Sequence, residues 1–199
     1  MTYPGALCRA PGLFYPNHTI TQVIPEEFIS RYYEPGPLLE ILLVHSRLVA
    51  DKALECARSR NLDVDLQFVE EAAMLHDIGI FRCNAPDIEC HGTLPYICHG
   101  VEGRRILEDE GLPRHALVCE RHTGSGLTES EIVSRHLPLP HRDMTPQTTE
   151  EKLICYADKF YSKSGDIRAE KPLARAIASA ARFGRDSLTR FLKLHQQFG

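Results

Sequence analysis

Apolar residues recur at helical spacing through nearly the whole chain from residue 38 onward, and this periodicity limits the fold more than any other feature. The segments PLLEILLVHSRLVADKALECARSRN (37–61) and DLQFVEEAAMLHDIGIF (65–81) both place apolar side chains three or four residues apart. We find no run with the alternation typical of a β-strand. The pattern therefore predicts an all-α fold, a helical bundle built as a single domain.

The same spacing, with prolines, glycines and capping residues at the segment ends, predicts the remaining helices. They cover residues 99–111, 113–124, 148–165 and 172–197. Asp65 is a predicted N-cap, and Thr148 is predicted to form a capping box with Glu151. Residues 82–98 and 124–146 are predicted to be loops.

Residues 1–37 form a predicted N-terminal arm. This segment is rich in proline, glycine and aromatic residues, and at most a short helical turn is expected, at PEEFISRYY (25–33). We therefore divide the chain into an irregular arm, 1–37, and a helical domain, 38–199. The sequence leaves open whether the arm covers a site or joins two copies as a homodimer.

Composition excludes several classes of partner. The formal net charge of −4 implies no basic face, so long nucleic acid is not expected to bind. The chain start lacks the basic residues and the continuous apolar run of a signal peptide. The longest apolar stretch, LLEILLV, is too short to span a bilayer. With seven cysteines and no CxxC pair, we expect a cytoplasmic protein with reduced thiols and no membrane association.

Ionisable side chains interrupt the apolar faces of the predicted helices. They are His45, His76, Asp77, His99, His122 and Asp158. His45, for example, shares a helix face with Leu42 and Val49. One such histidine is more often an ordinary core residue, but six groups cannot all be buried cheaply without a cation among them. Neutral imidazole and carboxylate are ligands for zinc, iron and manganese, and facing helices often build such sites.

The order of these residues resembles a known superfamily. His45, the pair His76-Asp77 and Asp158 are arranged as in the HD-domain metal-dependent phosphohydrolases, and HDIG at 76–79 is the form that names one large branch. The resemblance covers about residues 38–164, which would be the core of the helical domain. It implies an enzyme that hydrolyses a small phosphorylated substrate, a nucleotide in our interpretation, by means of a metal-activated water.

The resemblance is greatest to small uncharacterised HDIG proteins. It does not extend to the cyclic dinucleotide phosphodiesterases of the HD-GYP branch, because Ile80 stands where those carry a lysine and no GYP segment follows. Two histidines between the HD pair and the final aspartate, here His99 and His122, usually accompany a two-metal site in this superfamily.

The resemblance also implies a role for each candidate ligand. His45, His76 and Asp158 would hold one divalent metal ion, and His99 and His122 would hold a second. Asp77 would bridge the two ions and act in catalysis. Iron or manganese suits this ligand set, with zinc, magnesium and nickel as alternatives.

Three further residues are predicted to act on the substrate. His91, in CHGT, matches a histidine-glycine element of the uncharacterised group and is predicted to contact substrate or relay a proton. Lys159 and Arg121 flank predicted ligands and could bind a phosphate. A surface loop is the alternative interpretation for His91, and a solvated helix face is the alternative for the other two.

Two other function classes remain open at this stage. The same fold and the same six ligands also support di-iron oxygenases, which carry substrate lysines that we cannot match here. A ligand-sensing module without catalysis is the second alternative. Intact residues at all six ligand positions favour the enzyme.

Overall fold

A computed structural model describes residues 23–199 and confirms the all-α prediction. Nine α-helices lie within this range: α1 (Pro25–Ser30), α2 (Pro37–Ser59), α3 (Leu66–Leu75), α4 (His99–Asp109), α5 (Pro113–Arg121), α6 (Glu129–Ser134), α7 (Thr149–Asp158), α8 (Leu173–Arg182) and α9 (Arg185–Phe198). None of these helices has the length and apolar character needed to cross a bilayer.

The helices bury two main apolar clusters. Helix α2 packs on α3 and α7, and α4 packs on α5. The larger cluster joins α2, α3 and α7 to the C-terminal helices α8 and α9. The second cluster lies among α1, the start of α2, α4 and α5. The predicted metal ligands come from α2, α4 and α7 and from the ends of α3 and α5, so the folding of both clusters positions them.

Part of the predicted arm belongs to the core. Residues 1–22 lie outside the described residues, but α1 forms at the predicted short turn. Ile29 and Tyr33 are buried, and the Tyr33 hydroxyl donates a hydrogen bond to the carbonyl of Ile78, at 2.8 Å. The division at residue 37 stays a prediction, but the arm's last residues contact the HDIG segment directly.

The predicted loop 82–98 contains a small three-stranded sheet, which the sequence analysis missed. Its strands are β1 (Cys83–Ala85), β2 (Cys90–His91) and β3 (Leu94–Pro95), in the order β2-β1-β3. β1 pairs antiparallel with β2 and parallel with β3. Strands of two or three residues are too short to show alternation, so pattern analysis finds only a loop.

Several predicted helix boundaries were wrong. Both α3 and α7 end earlier than predicted, at Leu75 and Asp158. The predicted loop 124–146 contains α6, which the Thr128–Glu131 capping box starts. The predicted last helix is two helices, because Gly184, with φ of 106°, breaks it.

The predicted N-caps are present. The Asp65 side chain accepts a hydrogen bond from the backbone N–H of Phe68, and the Thr148 side chain accepts one from the N–H of Glu151. The second hydrogen bond of a capping box would run from the backbone N–H of Thr148 to the Glu151 carboxylate. Here that carboxylate accepts from the backbone N–H of Gln147 instead.

The glycine of HDIG allows α4 to approach closely. A Cβ atom on Gly79 would lie 2.3 Å from the carbonyl oxygen of His99 and 2.4 Å from the backbone nitrogen of Gly103. Both of those atoms are backbone and cannot rotate away. The φ of Gly79 is an ordinary −84°, so contact with α4, rather than backbone conformation, requires glycine here.

We expect Gly79→Ala to lower the free energy of unfolding by about 1–3 kcal/mol, since an extra methyl group would force α4 away from the HDIG turn. Urea denaturation without added metal measures this. Gly36→Ala is the control, because nothing lies within 4 Å of a Cβ at Gly36. Equal stabilities of the two variants would contradict the close packing.

Candidate metal centre

Four predicted ligands from α2, α3 and α7 bring their donor atoms together. His45 Nε2 lies 3.1 Å from Asp158 Oδ1 and 3.3 Å from Asp77 Oδ2. His76 Nε2 lies 3.1 Å from the same Asp77 oxygen and 3.6 Å from Asp158 Oδ1. All four side chains are buried. We call His45, His76, Asp77 and Asp158 the first ligand group.

Asp77 also belongs to a second ligand group, with His99 and His122. Its other oxygen, Oδ1, lies 3.4 Å from the Nε2 atom of each of these histidines. The two Nε2 atoms are 3.0 Å apart. Asp77 thus presents one oxygen to each group, which is the arrangement of a carboxylate that bridges two ions.

Backbone carbonyls orient three of the four imidazoles. His76 Nδ1 donates to the carbonyl of Ala73, His99 Nδ1 to that of Tyr96 and His122 Nδ1 to that of Cys119, at 2.6, 2.6 and 2.7 Å. Each acceptor is three residues earlier in the chain. This fixes the tautomer, so that in a neutral ring the Nε2 atom carries the lone pair that a metal ion requires.

The spacing of the donor atoms fits metal coordination. Donors that bind one ion at about 2.1 Å stand about 3.0 Å apart at a right angle and about 3.4 Å apart at a tetrahedral angle. In the two ligand groups the measured separations run from 3.0 to 3.6 Å and so lie within about 0.2 Å of these values. Within each group, all donor atoms lie within 4.8 Å of one another.

In the second ligand group, the lone pairs of two histidines face one another, which is stronger evidence for a cation than the donor spacing alone. Burial lowers the pKa of His99 to about 3 and lowers that of His122 as well, so both imidazoles are neutral. Since each Nδ1 already donates to a carbonyl, neither Nε2 has a proton to share with the other. Two lone pairs held 3.0 Å apart beside the Asp77 carboxylate repel one another unless a cation lies between them.

In the first group, two lysines balance the carboxylate charge. Lys163 Nζ lies 2.5 Å from Asp77 Oδ2, and Lys159 Nζ lies 2.6 Å from Asp158 Oδ2. Burial disfavours the imidazolium of His76, but the neighbouring Asp77 and Asp158 carboxylates raise its pKa to about 9. Charge balance alone therefore does not require a metal. His76 Nε2 and both Asp77 oxygens nevertheless lack a well-formed hydrogen bond among the described residues.

Two cavities adjoin the ligand groups. The first, of about 350 Å³, is lined by Asp158 and by three lysines, Lys159, Lys163 and Lys171. The second, of about 260 Å³, reaches His99 and His122 and shares Lys159 and Lys163 with the first. Asp87 also lines the first cavity, so three ammonium groups face two carboxylates there, a small excess of positive charge that favours an anionic substrate.

Lys163 is a site residue that the sequence analysis missed. It lies five residues beyond Asp158, in a segment predicted to be helical, where it would have pointed away from the aspartate. Because α7 ends at Asp158, the chain turns and brings Lys163 back over Asp77. A second lysine after the aspartate, in ADKFYSK, was the available signal.

The three residues predicted to act on substrate lie in different surroundings. Lys159 lines both cavities. Arg121 Nη1 donates hydrogen bonds to both carboxylate oxygens of the buried Glu151, at 2.9 and 3.0 Å, and this pair holds the guanidinium against α7. The side chain of His91 is 69% exposed and faces Glu89. The substrate roles of all three residues stay predictions, and Lys163 lines both cavities as Lys159 does.

Comparison with known proteins identifies the family. The model of the HD domain matches residues 42–162. The chain belongs to the HD-domain family. This places it in a superfamily of metal-dependent phosphohydrolases, and the first ligand group contains the His76-Asp77 pair of the HD motif.

Three relatives of this HD protein come from archaea. An uncharacterised protein of Methanocaldococcus jannaschii is 37% identical over 125 residues, which are 61% of this chain and 66% of the relative. tRNA (cytidine(56)-2'-O)-methyltransferases of Thermoplasma volcanium and Picrophilus torridus are 30% and 28% identical over 88% and 79% of this chain. The chain spans only 47% and 41% of those two enzymes. No solved structure gave a significant match.

We expect Asp77→Ala to abolish metal retention, because both ligand groups lose a donor, and His99→Ala to leave roughly one ion per chain. Elemental analysis of the purified variants measures this. His91→Ala is the control with an exposed histidine and should match the unmodified protein. Unchanged metal content in Asp77→Ala would refute the site.

Proposed function

We propose that this HD protein is a metal-dependent phosphohydrolase acting on a small phosphorylated substrate, with a nucleotide as the preferred class. One observation carries the proposal: two ligand groups share Asp77 and adjoin cavities lined by lysines. Two metal ions held by a shared carboxylate form a centre suited to in-line displacement at phosphorus.

The residues present fit such a pair of ions. His45, His76 and Asp158 would hold one ion, His99 and His122 the other, and Asp77 would bridge them. Divalent ions at this centre would supply a nucleophilic water near neutral pH and neutralise charge on the phosphoryl group. Imidazole and carboxylate donors without thiolate agree with iron or manganese, and zinc, magnesium or nickel would also fit the donor set.

Two lysine side chains of the protein would bind the phosphate group and stabilise its charge. Lys163 and Lys159 hold ammonium groups beside Asp77 and Asp158, where a phosphate bound at the centre would present its oxygens. Positive groups held at fixed positions stabilise the charge that would develop on those oxygens in the transition state. The Lys163 side chain is only 13% exposed, so water screens its charge weakly.

Two observations support a nucleotide as the substrate. Ile97, Ala180 and Phe183 line the second cavity beside His99 and offer an apolar wall against which a base could pack. Phe183 is 37% exposed, so its ring is accessible to a ligand in this cavity. Two relatives, by their names, also modify a nucleotide within tRNA. Methyl transfer itself is not proposed, because this chain covers less than half of those enzymes.

A phosphate-release assay tests the proposal. The metal-loaded protein is incubated with adenosine monophosphate and diphosphate and with glycerol phosphate, in air and without oxygen. We expect hydrolysis that is faster for nucleotides, is lost after chelation and does not depend on oxygen. Oxygen consumption with no phosphate release would instead support the di-iron oxygenase alternative.

We expect Lys163→Met to lower kcat/KM for the best substrate by about a hundredfold, because a fixed positive charge beside the reacting phosphate is removed. Steady-state kinetics of phosphate release measures this. Lys52→Met is the matched control, since its side chain is also 13% exposed and pairs with a carboxylate, Glu170, outside both cavities. Equal losses in the two variants would contradict a role for Lys163 at the reacting phosphate.

A further inference from the structure

A third cavity lies apart from the metal centre and also has basic walls. It measures about 420 Å³, and its lining includes Ser125, Gln147, Lys152, Arg190, Lys193 and Gln197. It shares no lining residue with the two cavities at the centre. Its size falls within the range of small-molecule sites. We call it the distal cavity.

The charge of the distal cavity is positive, and two of its cations are uncompensated. No carboxylate lines it. Arg190 is already paired, with Glu131 at 2.8 Å. Lys152 and Lys193 form no ion pair with any residue of 23–199. Two ammonium groups at a cavity without a carboxylate favour an anion, since no carboxylate of the described chain forms an ion pair with them.

The wall that carries Ser125 is rigid. Arg190 donates hydrogen bonds to the carbonyls of Ser125 and Gly126, at 3.1 and 2.8 Å. Gly126 has a φ of 80° and packs so closely that an added Cβ would lie 2.7 Å from Pro146. A cavity whose wall is already fixed loses little conformational entropy when a ligand binds.

We propose that the distal cavity binds the phosphate group of a small metabolite. Lys152 and Lys193 supply the charge, and the amides of Gln147 and Gln197 suit the polar remainder of the ligand. This site is separate from the proposed hydrolysis and does not depend on it.

Calorimetric titration of the metal-loaded protein with inorganic phosphate tests the site without any turnover. The double variant Lys152→Gln/Lys193→Gln should lose one binding event, with affinity falling by at least about tenfold for each lysine removed. Lys159→Gln/Lys163→Gln, which alters the metal centre, should keep that event. Binding by the first double variant that equals that of the unmodified protein would overturn the proposal.

A further double variant separates a site in the cavity from general charge. Arg58→Gln/Arg60→Gln removes two exposed charges from the end of α2, away from every cavity described above, and should leave phosphate binding unchanged. Equal weakening by the arginine pair and by Lys152→Gln/Lys193→Gln would reduce the site to surface charge and contradict it.

The size of the ligand is tested separately. Adenosine monophosphate should bind at the distal cavity more tightly than a single-stranded RNA of about ten nucleotides, since the protein has net negative charge and the cavity suits one small molecule. RNA binding that is tighter, and that Lys152→Gln/Lys193→Gln abolishes, would contradict the assignment to a small metabolite.

Discussion

The buried carboxylate of Asp77 is the constraint on which the rest of the site depends. It is fully inaccessible to solvent, and its two oxygens face different groups of imidazoles. The Lys163 ammonium lies beside only one of these oxygens, Oδ2. It can therefore balance the charge of the carboxylate but cannot pair with both of its oxygens. Helices α2, α3, α4, α5 and α7 therefore converge on one residue, and the apolar clusters on either side hold them there.

Four candidate ligands of the metal centre lie at helix ends, where local contacts fix the direction of the side chains. His76 and His122 follow the last residues of α3 and α5, His99 is the first residue of α4 and Asp158 is the last of α7. A side chain at a helix end can bond a nearby carbonyl, as the three Nδ1–H groups do, and so its direction is fixed. The close contact between Gly79 and α4 holds the HDIG turn and His99 at a constant distance.

Helical periodicity predicted the class of the fold and the helices that carry the candidate ligands, because a buried helix face repeats over many residues. It missed what is decided by a few local contacts: the three short strands, helix α6 and the break at Gly184. The same limit explains why the sequence analysis missed Lys163 as a site residue. Its approach to Asp77 depends on where α7 ends, and neither the capping pattern nor the apolar spacing of that segment marks Asp158 as the last residue.

The count of metal ions in protein purified without added metal tests the central claim most directly. The arrangement of the two ligand groups predicts about two divalent ions per chain, with iron or manganese prominent. About one ion would mean that His99 and His122 do not complete a second site. No ion, and none taken up when metal is added, would contradict the metal centre altogether and leave the facing lone pairs of those two histidines without a physical explanation.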